Sequence, residues 1–147
     1  MLIPRYYFSN DYRDFYEYFL TQPHTVKIFR KDEYLWNYGD PITHIYYIIS
    51  GAAMTTLEHE NGSRKISSFH GEGTVFPGFH RSVFKIEQSI ATRAVTDMET
   101  LCFTGAAFIE MLSENSRLML RTLDWYASYI NLLLYESAHQ DYNSSFV

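Results

Sequence analysis

The stretch HIYYIISGAAMTTLEHENGSRKISSFHGEGTVF, residues 44–76, carries the clearest fold signal in the chain. Its β-branched and aromatic residues occur in short runs separated by turn residues, which is typical of strands. The run His44–Ser50 predicts one strand. The runs Ala52–Glu58 and Arg64–Phe69 predict a hairpin around Asn61-Gly62, because both turn residues tolerate positive φ. Short strands with frequent turns favour a sandwich or a roll.

The regions on either side of this stretch continue the same pattern. Ahead of it, Ser9, Asn10 and Asp11 are N-cap candidates for a short amphipathic helix that ends near Gln22-Pro23. Four further strands are predicted by β-branched and aromatic runs, at Thr25–Phe29, Tyr34–Trp36, Gln88–Val95 and Thr100–Thr104.

The character of the sequence changes after Gly105. Residues 106–112 can form one or two helical turns, and Ser113 has the character of an N-cap or a break. From Ser116 to about His139 there is no Gly and no Pro, which predicts a helix about 35 Å long. Its residues at alternating spacings of three and four form a heptad seam: Leu120, Leu123, Ala127, Ile130, Leu134 and Ser137.

This helix is longer than is needed to cover one side of a small roll. We therefore expect its seam to pair with the same helix of a second subunit in a two-fold dimer. The alternative is a single helix packed on its own sheet. A second face of the helix carries Met119, Tyr126, Tyr129 and Leu133.

Composition narrows the function classes. The 147 residues, 46% of them hydrophobic, suit one domain with a core, and some of the 18% aromatic residues could line a site for a flat ligand. A net charge of −5 makes a poor nucleic-acid surface. The one cysteine, Cys102, argues against an internal disulfide and a cysteine-bound iron–sulfur cluster. No apolar run suits a signal peptide or a membrane span, so we expect a cytoplasmic protein.

Five short blocks follow one another along the chain. They are Lys31-Asp32-Glu33-Tyr34-Leu35, Gly39-Asp40, Ile45-Tyr46-Tyr47-Ile48-Ile49-Ser50-Gly51, Glu60-Asn61-Gly62-Ser63 and Gly73-Thr74-Val75-Phe76. In their order and spacing, with a long helix behind them, they resemble the cyclic nucleotide-binding domain of Crp/Fnr transcription regulators. The resemblance covers about Thr25 to Asn143, which is most of the chain.

The resemblance implies an α+β, mainly β fold. This is a jelly-roll-like β-roll (double-stranded β-helix) with an N-terminal helix and a long C-terminal dimerisation helix. It divides the chain into an effector-sensing β-roll over residues 1–113, a dimerisation helix over 114–141 and a hinge over 142–147. It also implies a small-molecule effector between roll and helix, a homodimer, and a DNA-binding helix-turn-helix domain beyond this chain. Enzymatic activity, a cofactor and a membrane partner are not expected.

The chain departs from the family at the phosphate site. Cyclic nucleotide binders follow the block ending at Phe76 with Gly-Glu, whose carboxylate receives the ribose hydroxyl, and later with Arg-Ser or Arg-Thr, which clamps the phosphate. This chain has Pro77-Gly78 and Gln88-Ser89 at those positions. A lost charge-assisted contact removes about 1.5–3 kcal/mol, roughly ten- to a hundredfold in affinity. We therefore expect an effector that is not a cyclic nucleotide.

The expected effector is a small aromatic or apolar molecule with one acidic group. Arg81, Lys85 or Arg93 could supply a replacement charge, although we favour solvated side chains. The chain is also similar to the subgroup that senses halogenated aromatics. The predicted ligand-binding residues are Phe76, Pro77, Gly78, Phe79, Gln88, Ser89, Tyr126, Tyr129 and Leu133. The predicted dimer-interface residues are Leu120, Leu123, Ala127, Ile130 and Leu134.

Three other interpretations stay open. The chain could be a cyclic nucleotide-binding domain with an altered phosphate site, or a ligand-free dimerisation module whose pocket is filled by side chains. It could also be a cupin-like metal-dependent enzyme, although that needs a His-x-His pair, and His70 and His80 with Glu72 are the nearest substitute. Haem sensing is possible in this family, and a His or Cys102 could be the ligand in this chain. The position of Cys102 in a predicted strand, however, favours a small buried hydrophobic side chain.

Overall fold

The computed structural model describes residues 5–81 and 89–144, with side chains as far as His139. Within these residues a 3-10 turn, Arg13–Phe15, precedes the first helix. The strands are β1 (Tyr7–Phe8), β2 (Thr25–Phe29), β3 (Tyr34–Trp36), β4 (His44–Ser50), β5 (Ala53–Glu58), β6 (Arg64–His70), β7 (Val75–Phe76), β8 (Ile90–Ala94) and β9 (Met98–Thr104). The helices are α1 (Tyr16–Leu20), α2 (Gly105–Glu114) and α3 (Ser116–Ser144).

The strands form two sheets that enclose the core. One sheet has the order β1-β6-β5-β8-β3 and the other has the order β2-β9-β4-β7. Rings from the two sheets meet between them, for example Trp36 of β3 and Phe76 of β7, with centroids 5.7 Å apart. Two buried hydroxyls of the first sheet pair with each other, since Thr55 Oγ1 lies 2.8 Å from Thr92 Oγ1. The predicted mainly β roll with a long C-terminal helix is confirmed.

Most predicted strands are confirmed near their expected bounds. β2, β3 and β4 begin and end where the sequence pattern places them, and the β5–β6 hairpin differs by one residue in each strand. The turn after β4 requires glycine, since Gly51 has φ +89° and a Cβ there would lie 2.2 Å from the Asp97 carbonyl oxygen. The two-residue strands β1 and β7 were not predicted, because two residues carry no readable periodicity.

The predicted helix caps are wrong at two places. Ser9, Asn10 and Asp11 do not cap a helix: the first turn begins at Arg13, and its N-cap residue makes no side-chain hydrogen bond. Ser113 lies inside α2, where its hydroxyl donates to the Ile109 carbonyl at 3.0 Å. Asn115 caps α3 instead.

The cap at Asn115 uses the usual asparagine chemistry. Its Oδ1 accepts a hydrogen bond from the Leu118 N–H at 3.0 Å, which satisfies one of the free amides of the first turn. Helix α3 then continues for 29 residues, about 43 Å. It reaches Ser144, so three residues of the range predicted as a hinge are helical; the domain boundaries stay predictions. No described helix is long and apolar enough to cross a membrane.

An N-terminal strap, which we define as residues 5–15, ties α3 to the roll. The Tyr12 hydroxyl donates to Thr122 Oγ1 at 3.2 Å inside the protein. The Arg121 guanidinium binds both carboxylate oxygens of Asp14, at 2.7 and 2.9 Å. Further along the helix, the Tyr6 hydroxyl donates to the Glu136 carboxylate. The strap therefore holds the helix along about four turns.

The buried pair Tyr12–Thr122 provides a test of this attachment. Both residues are almost fully buried. Tyr12→Phe and Thr122→Val should each lower the free energy of unfolding by about 1–2 kcal/mol, because each leaves the other hydroxyl buried without its partner. The double variant should lose less than the sum of the two. Urea unfolding of the four proteins measures this; additive losses would show that the two hydroxyls do not interact.

Candidate effector site

Six aromatic rings meet where the roll contacts α3. We call this set the aromatic cluster: Phe8, Trp36, His70, Phe76, Trp125 and Tyr129. Trp125 and Tyr129 lie one turn apart on α3 and stack on each other, with centroids 5.0 Å apart. On the roll, the His70 and Phe76 rings stack at 3.8 Å. Both α3 rings contact Phe76, so the cluster spans the junction between roll and helix.

A hydrogen-bond relay crosses the same junction. The Tyr129 hydroxyl lies 2.8 Å from Ser68 Oγ, which lies 2.9 Å from His70 Nε2. A register irregularity in β6 makes this possible, because Thr55 pairs with Ser68 whereas Thr56 pairs with Ile66. The extra residue, Ser67, is buried like its neighbour Ser68, so the alternation of inward and outward side chains is broken there.

His70 is neutral in this environment. Its side chain is completely buried, and burial lowers its pKa from 6.5 to about 3. Its Nε2 atom has Ser68 as a partner, whereas Nδ1 has no hydrogen-bond partner among the residues that the structure describes. The indole Nε1 of Trp36 is likewise without one in the described part of the chain.

The structure brings most of the predicted ligand-binding residues together. Phe76 and Pro77 are buried at the end of β7, and Tyr129 contacts Phe76. A Cβ on Gly78 would lie 3.5 Å from the Tyr126 ring, and Tyr126 also forms a hydrogen bond with the Phe79 backbone. Burial raises the pKa of Tyr126 to about 12, so its hydroxyl stays protonated at neutral pH.

Two predicted residues, Leu133 and Ser89, lie at the margin of the aromatic cluster or beyond it. The Leu133 side chain on α3 is more than a third exposed to solvent. Ser89 is exposed and lines a cleft of about 520 Å³ beside the β5–β6 hairpin, with Lys65 and Ile90 among its neighbours. Gln88 lies outside the described residues.

Of the three candidate replacement charges, the structure describes Arg93 and Arg81. Arg93 points to Asp32, with its Nη1 atom 2.7 Å from the carboxylate. Arg81 is exposed, and Lys85 lies outside the described residues. Within residues 5–81 and 89–144, no three His, Cys, Asp or Glu side chains are grouped to hold a metal ion. Of the substitute set considered above, His70 is buried whereas Glu72 and His80 are exposed.

Trp36, Ser68, His70 and Trp125 were not among the predicted site residues. The helical spacing contained a signal for Trp125, which lies four residues before Tyr129 and so shares its face. No comparable signal marked His70. Its position at the end of β6 becomes significant only when β7 and α3 pack against it.

The predicted dimer seam lies on the side of α3 that faces away from the roll. Leu118, Thr122, Trp125 and Leu132 form the buried side of the helix. The seam residues are all exposed in the single chain: Leu120, Leu123, Ala127, Ile130 and Leu134. The site and the seam therefore occupy different faces of one helix.

Comparison with known proteins assigns the domain. The family model described as the cyclic nucleotide-binding domain matches residues 26–115. The chain belongs to this family. The match covers the strands from β2 to β9 and helix α2, so α3, which carries two of the six rings of the aromatic cluster, lies just beyond it. A comparison with curated proteins found no match.

Solved structures of other proteins share the fold of this cyclic nucleotide-binding domain. Oxidised CprK in complex with o-chlorophenolacetic acid superposes with a TM-score of 0.73 at 15% identity, covering 95% of this chain and 56% of that one. FixK2 from Bradyrhizobium japonicum gives 0.58 at 20%, covering 80% and 56%. The Thermus thermophilus catabolite activator protein gives 0.62 at 18%, covering 87% and 58%. The chain thus spans less than two thirds of each, and the predicted Crp/Fnr resemblance is confirmed.

Proposed function

We propose that this chain is the effector-sensing and dimerisation portion of a cytoplasmic Crp/Fnr-type transcription regulator. Its effector is a small aromatic molecule other than a cyclic nucleotide. The observation that carries the proposal is the aromatic cluster, which joins the roll to α3 and leaves two buried nitrogens without partners among the described residues. DNA binding belongs to a domain beyond this chain, and no chemical reaction is assigned to the site.

The phosphate site argues against a cyclic nucleotide. Pro77 and Gly78 stand where the family has its Gly-Glu pair, so the ribose-binding carboxylate is lost. The aromatic cluster supplies stacking surfaces instead, which favour flat rings over a charged cyclic phosphate. CprK, whose complex holds o-chlorophenolacetic acid, provides an example of this fold with an aromatic ligand.

The geometry also supplies a signalling route. A ligand held by the aromatic cluster would touch Phe76 on the roll and Tyr129 on α3 at the same time. It could therefore favour one position of the helix over another, which is the requirement for a ligand-controlled switch. A shift of α3 would move the seam of Leu120 to Leu134, and with it the partner subunit and the attached DNA-binding domains.

Ligand binding by the 147-residue chain tests this proposal. Isothermal titration should show binding of o-chlorophenolacetic acid or 2-chlorophenol, and markedly weaker binding of cyclic AMP. Tyr129→Ala should weaken the aromatic ligand by about tenfold or more, because a stacked ring is removed. Tyr135→Ala, on an exposed part of the same helix, is the matched control. Tighter binding of cyclic AMP, or equal effects of both variants, would contradict the proposal.

A further inference from the structure

The N-terminal strap reaches the aromatic cluster with one ring and one carboxylate. The Phe8 ring is 1% exposed and contacts the Trp125 and Tyr129 rings of α3, with centroids 5.2 and 5.5 Å away. The Asp11 carboxylate accepts a hydrogen bond from the Trp125 indole Nε1 at 3.2 Å. The strap therefore meets α3 at the same two rings that face the roll.

Backbone pairing fixes the strap to the roll as well. Strand β1 belongs to the five-stranded sheet and runs parallel to β6, where Phe8 pairs with His70. The rings of these two residues stack at 5.7 Å. Beyond β1, the Asn10 N–H donates to the Glu72 carbonyl at 2.8 Å. The strap is thus part of the roll in its backbone, and it contacts α3 through its side chains.

Two glycines of the roll leave room for the strap. A Cβ on Gly73 would lie 2.9 Å from the Asn10 Cα, and one on Gly71 would lie 2.1 Å from the Tyr7 hydroxyl oxygen. A side chain at either position would have to displace the strap or its tyrosine. The surface of the roll is therefore shaped to seat residues 7–10.

Arg5 holds the strap together from within. Its guanidinium donates to both carboxylate oxygens of Asp11, at 3.0 and 2.9 Å, in the bidentate geometry that fixes an arginine–carboxylate pair. The same side chain donates to the carbonyl oxygens of Tyr7 and Ser9, each at 3.2 Å, and lies 4.7 Å from the centroid of the Phe8 ring. The strap is therefore folded around one guanidinium, which fixes the direction of the Asp11 carboxylate.

A second arginine holds the backbone of Asp11 from the side of α3. The Arg121 guanidinium donates to the Asp11 carbonyl oxygen and also binds the Asp14 carboxylate. The Asp11 side chain is 18% exposed, so water competes little for its bonds. An indole nitrogen only donates, so an acceptor fixed in this way limits the orientations of the Trp125 ring.

The Trp125 ring is the one through which the strap can affect the rest of the cluster. It stacks on Tyr129 at 5.0 Å and lies edge-on to Phe76 of the roll at 6.0 Å. A ligand held between the roll and α3 by the aromatic cluster would contact this ring. Its orientation therefore shapes the α3 side of the proposed site.

We infer that the N-terminal strap is the third part of the effector site, besides the roll and α3, and that Asp11 is the residue that positions Trp125 in it. Arg5 completes the positioning pair, since it fixes the carboxylate. This inference rests on the proposed effector-sensing function and adds to it an element outside the matched family region, residues 26–115. A movement of α3 away from the roll would break the bond between Asp11 and Trp125, so the strap also favours the present position of the helix.

Affinity for an aromatic probe in two aspartate variants tests the inference. Asp11→Ala should weaken binding of o-chlorophenolacetic acid by about tenfold, because the Trp125 ring loses the charged acceptor that orients it. Asp14→Ala is the matched control, since it removes another bidentate contact between strap and α3, to Arg121, and neither residue belongs to the aromatic cluster. It should change the affinity by less than about twofold. Titration calorimetry measures both.

Two further variants keep part of the interaction. Asp11→Asn retains an oxygen that can accept from the Trp125 indole, and should restore the affinity to within about threefold of the unmodified chain. Arg5→Gln leaves the carboxylate in place and removes its bidentate partner, so it should weaken the probe by about threefold. These two variants decide the question if Asp11→Ala does not fold.

The indole signals provide a readout that needs no ligand. The chain has two tryptophans, Trp36 and Trp125, and Trp36→Phe assigns their nitrogen–proton NMR signals. The Trp125 signal should shift in Asp11→Ala, because its hydrogen bond to a carboxylate is lost. It should stay in place in Asp14→Ala, where that bond remains.

The outcomes distinguish this inference from the proposed function. If o-chlorophenolacetic acid binds but Asp11→Ala and Asp14→Ala weaken it equally, the inference is overturned and the proposed function stands. The same holds if Asp11→Asn restores nothing, or if the Trp125 signal does not shift in Asp11→Ala. If the unmodified chain binds cyclic AMP more tightly, or binds no aromatic compound, the proposed function fails and the inference fails with it.

Discussion

Replacing Leu120 and Leu134 with glutamate is expected to turn a dimer of this chain into monomers. Both residues are more than 60% exposed in the single chain, at 62% and 63%. In a paired seam each glutamate would be buried in both subunits without a partner charge. We expect the dissociation constant of the dimer to rise by about a hundredfold or more. Analytical ultracentrifugation over a range of concentrations measures the change.

An equally exposed apolar pair provides the control. Val26 and Ile28 lie on β2, an edge strand of its sheet, and are 56% and 68% exposed. Val26→Glu with Ile28→Glu makes the same chemical change away from the seam, so it should leave the dimer intact. If the unmodified chain is monomeric, or if both double variants dissociate equally, the proposal that α3 pairs through this seam is contradicted.

The geometry of α3 explains why the seam is the expected interface. Its other side is already occupied, since Leu118, Thr122 and Trp125 are buried against the roll and the N-terminal strap. A helix packed only on its own sheet would leave Leu120, Leu123 and their seam neighbours in water. Pairing with a second copy would bury them, at a gain of about 25 cal/mol per Å² of apolar surface.

Lowering the pH from about 6.5 to about 4.5 is expected to destabilise the chain through His70. An unperturbed histidine has a pKa of 6.5, and burial lowers that of His70 to about 3 in the fold. Between these values the unfolded chain binds more protons than the folded one. The stability is therefore fully present above about pH 6.5 and falls as the pH drops, by up to about 1.4 kcal/mol per pH unit.

Two variants isolate the contribution of His70. His70→Phe should flatten the dependence of the unfolding free energy on pH in this window, and His44→Phe should not change it. The Asp14 and Glu136 carboxyls have pKa values lowered by Arg121 and by Tyr6 with Lys65, so their losses begin only at the acidic end of the window. Urea unfolding at a series of pH values measures the slopes; the same slope in His70→Phe as in the unmodified chain would contradict the assignment.

Local sequence patterns were sufficient for the strands and the long helix. The alternating run at β2 and the β-branched and aromatic runs at β4 and the β5–β6 hairpin follow from residues that are neighbours in the chain. The absence of Gly and Pro over α3 and the heptad spacing of its leucines are local in the same sense. The family blocks could be recognised in the same way, because each block holds a turn or a strand end.

The site could be predicted only in part. The segment from Phe76 to Phe79 and the α3 tyrosines were recognisable from the family motif and the helix face. The role of His70 was not, because a histidine at a strand end is an ordinary surface residue until another element covers it. The N-terminal strap was equally hidden. Asp11 was an N-cap candidate in sequence, yet it accepts a hydrogen bond from Trp125, and Asp14 binds Arg121; both partners are more than a hundred residues away.

By itself, then, the sequence determined the β-roll, the long apolar-seamed helix and the loss of the phosphate-binding pair. The strands and the helix depend on periodicity and on residue types at neighbouring positions, whereas the roll and the lost pair follow from the resemblance to the family. The tertiary structure alone decided that β6, β7 and α3 enclose one aromatic cluster. It also decided that His70 is neutral and that two nitrogens are left without described partners. Burial and hydrogen-bond pairing depend on residues distant in the chain, and no local pattern records which of them will meet.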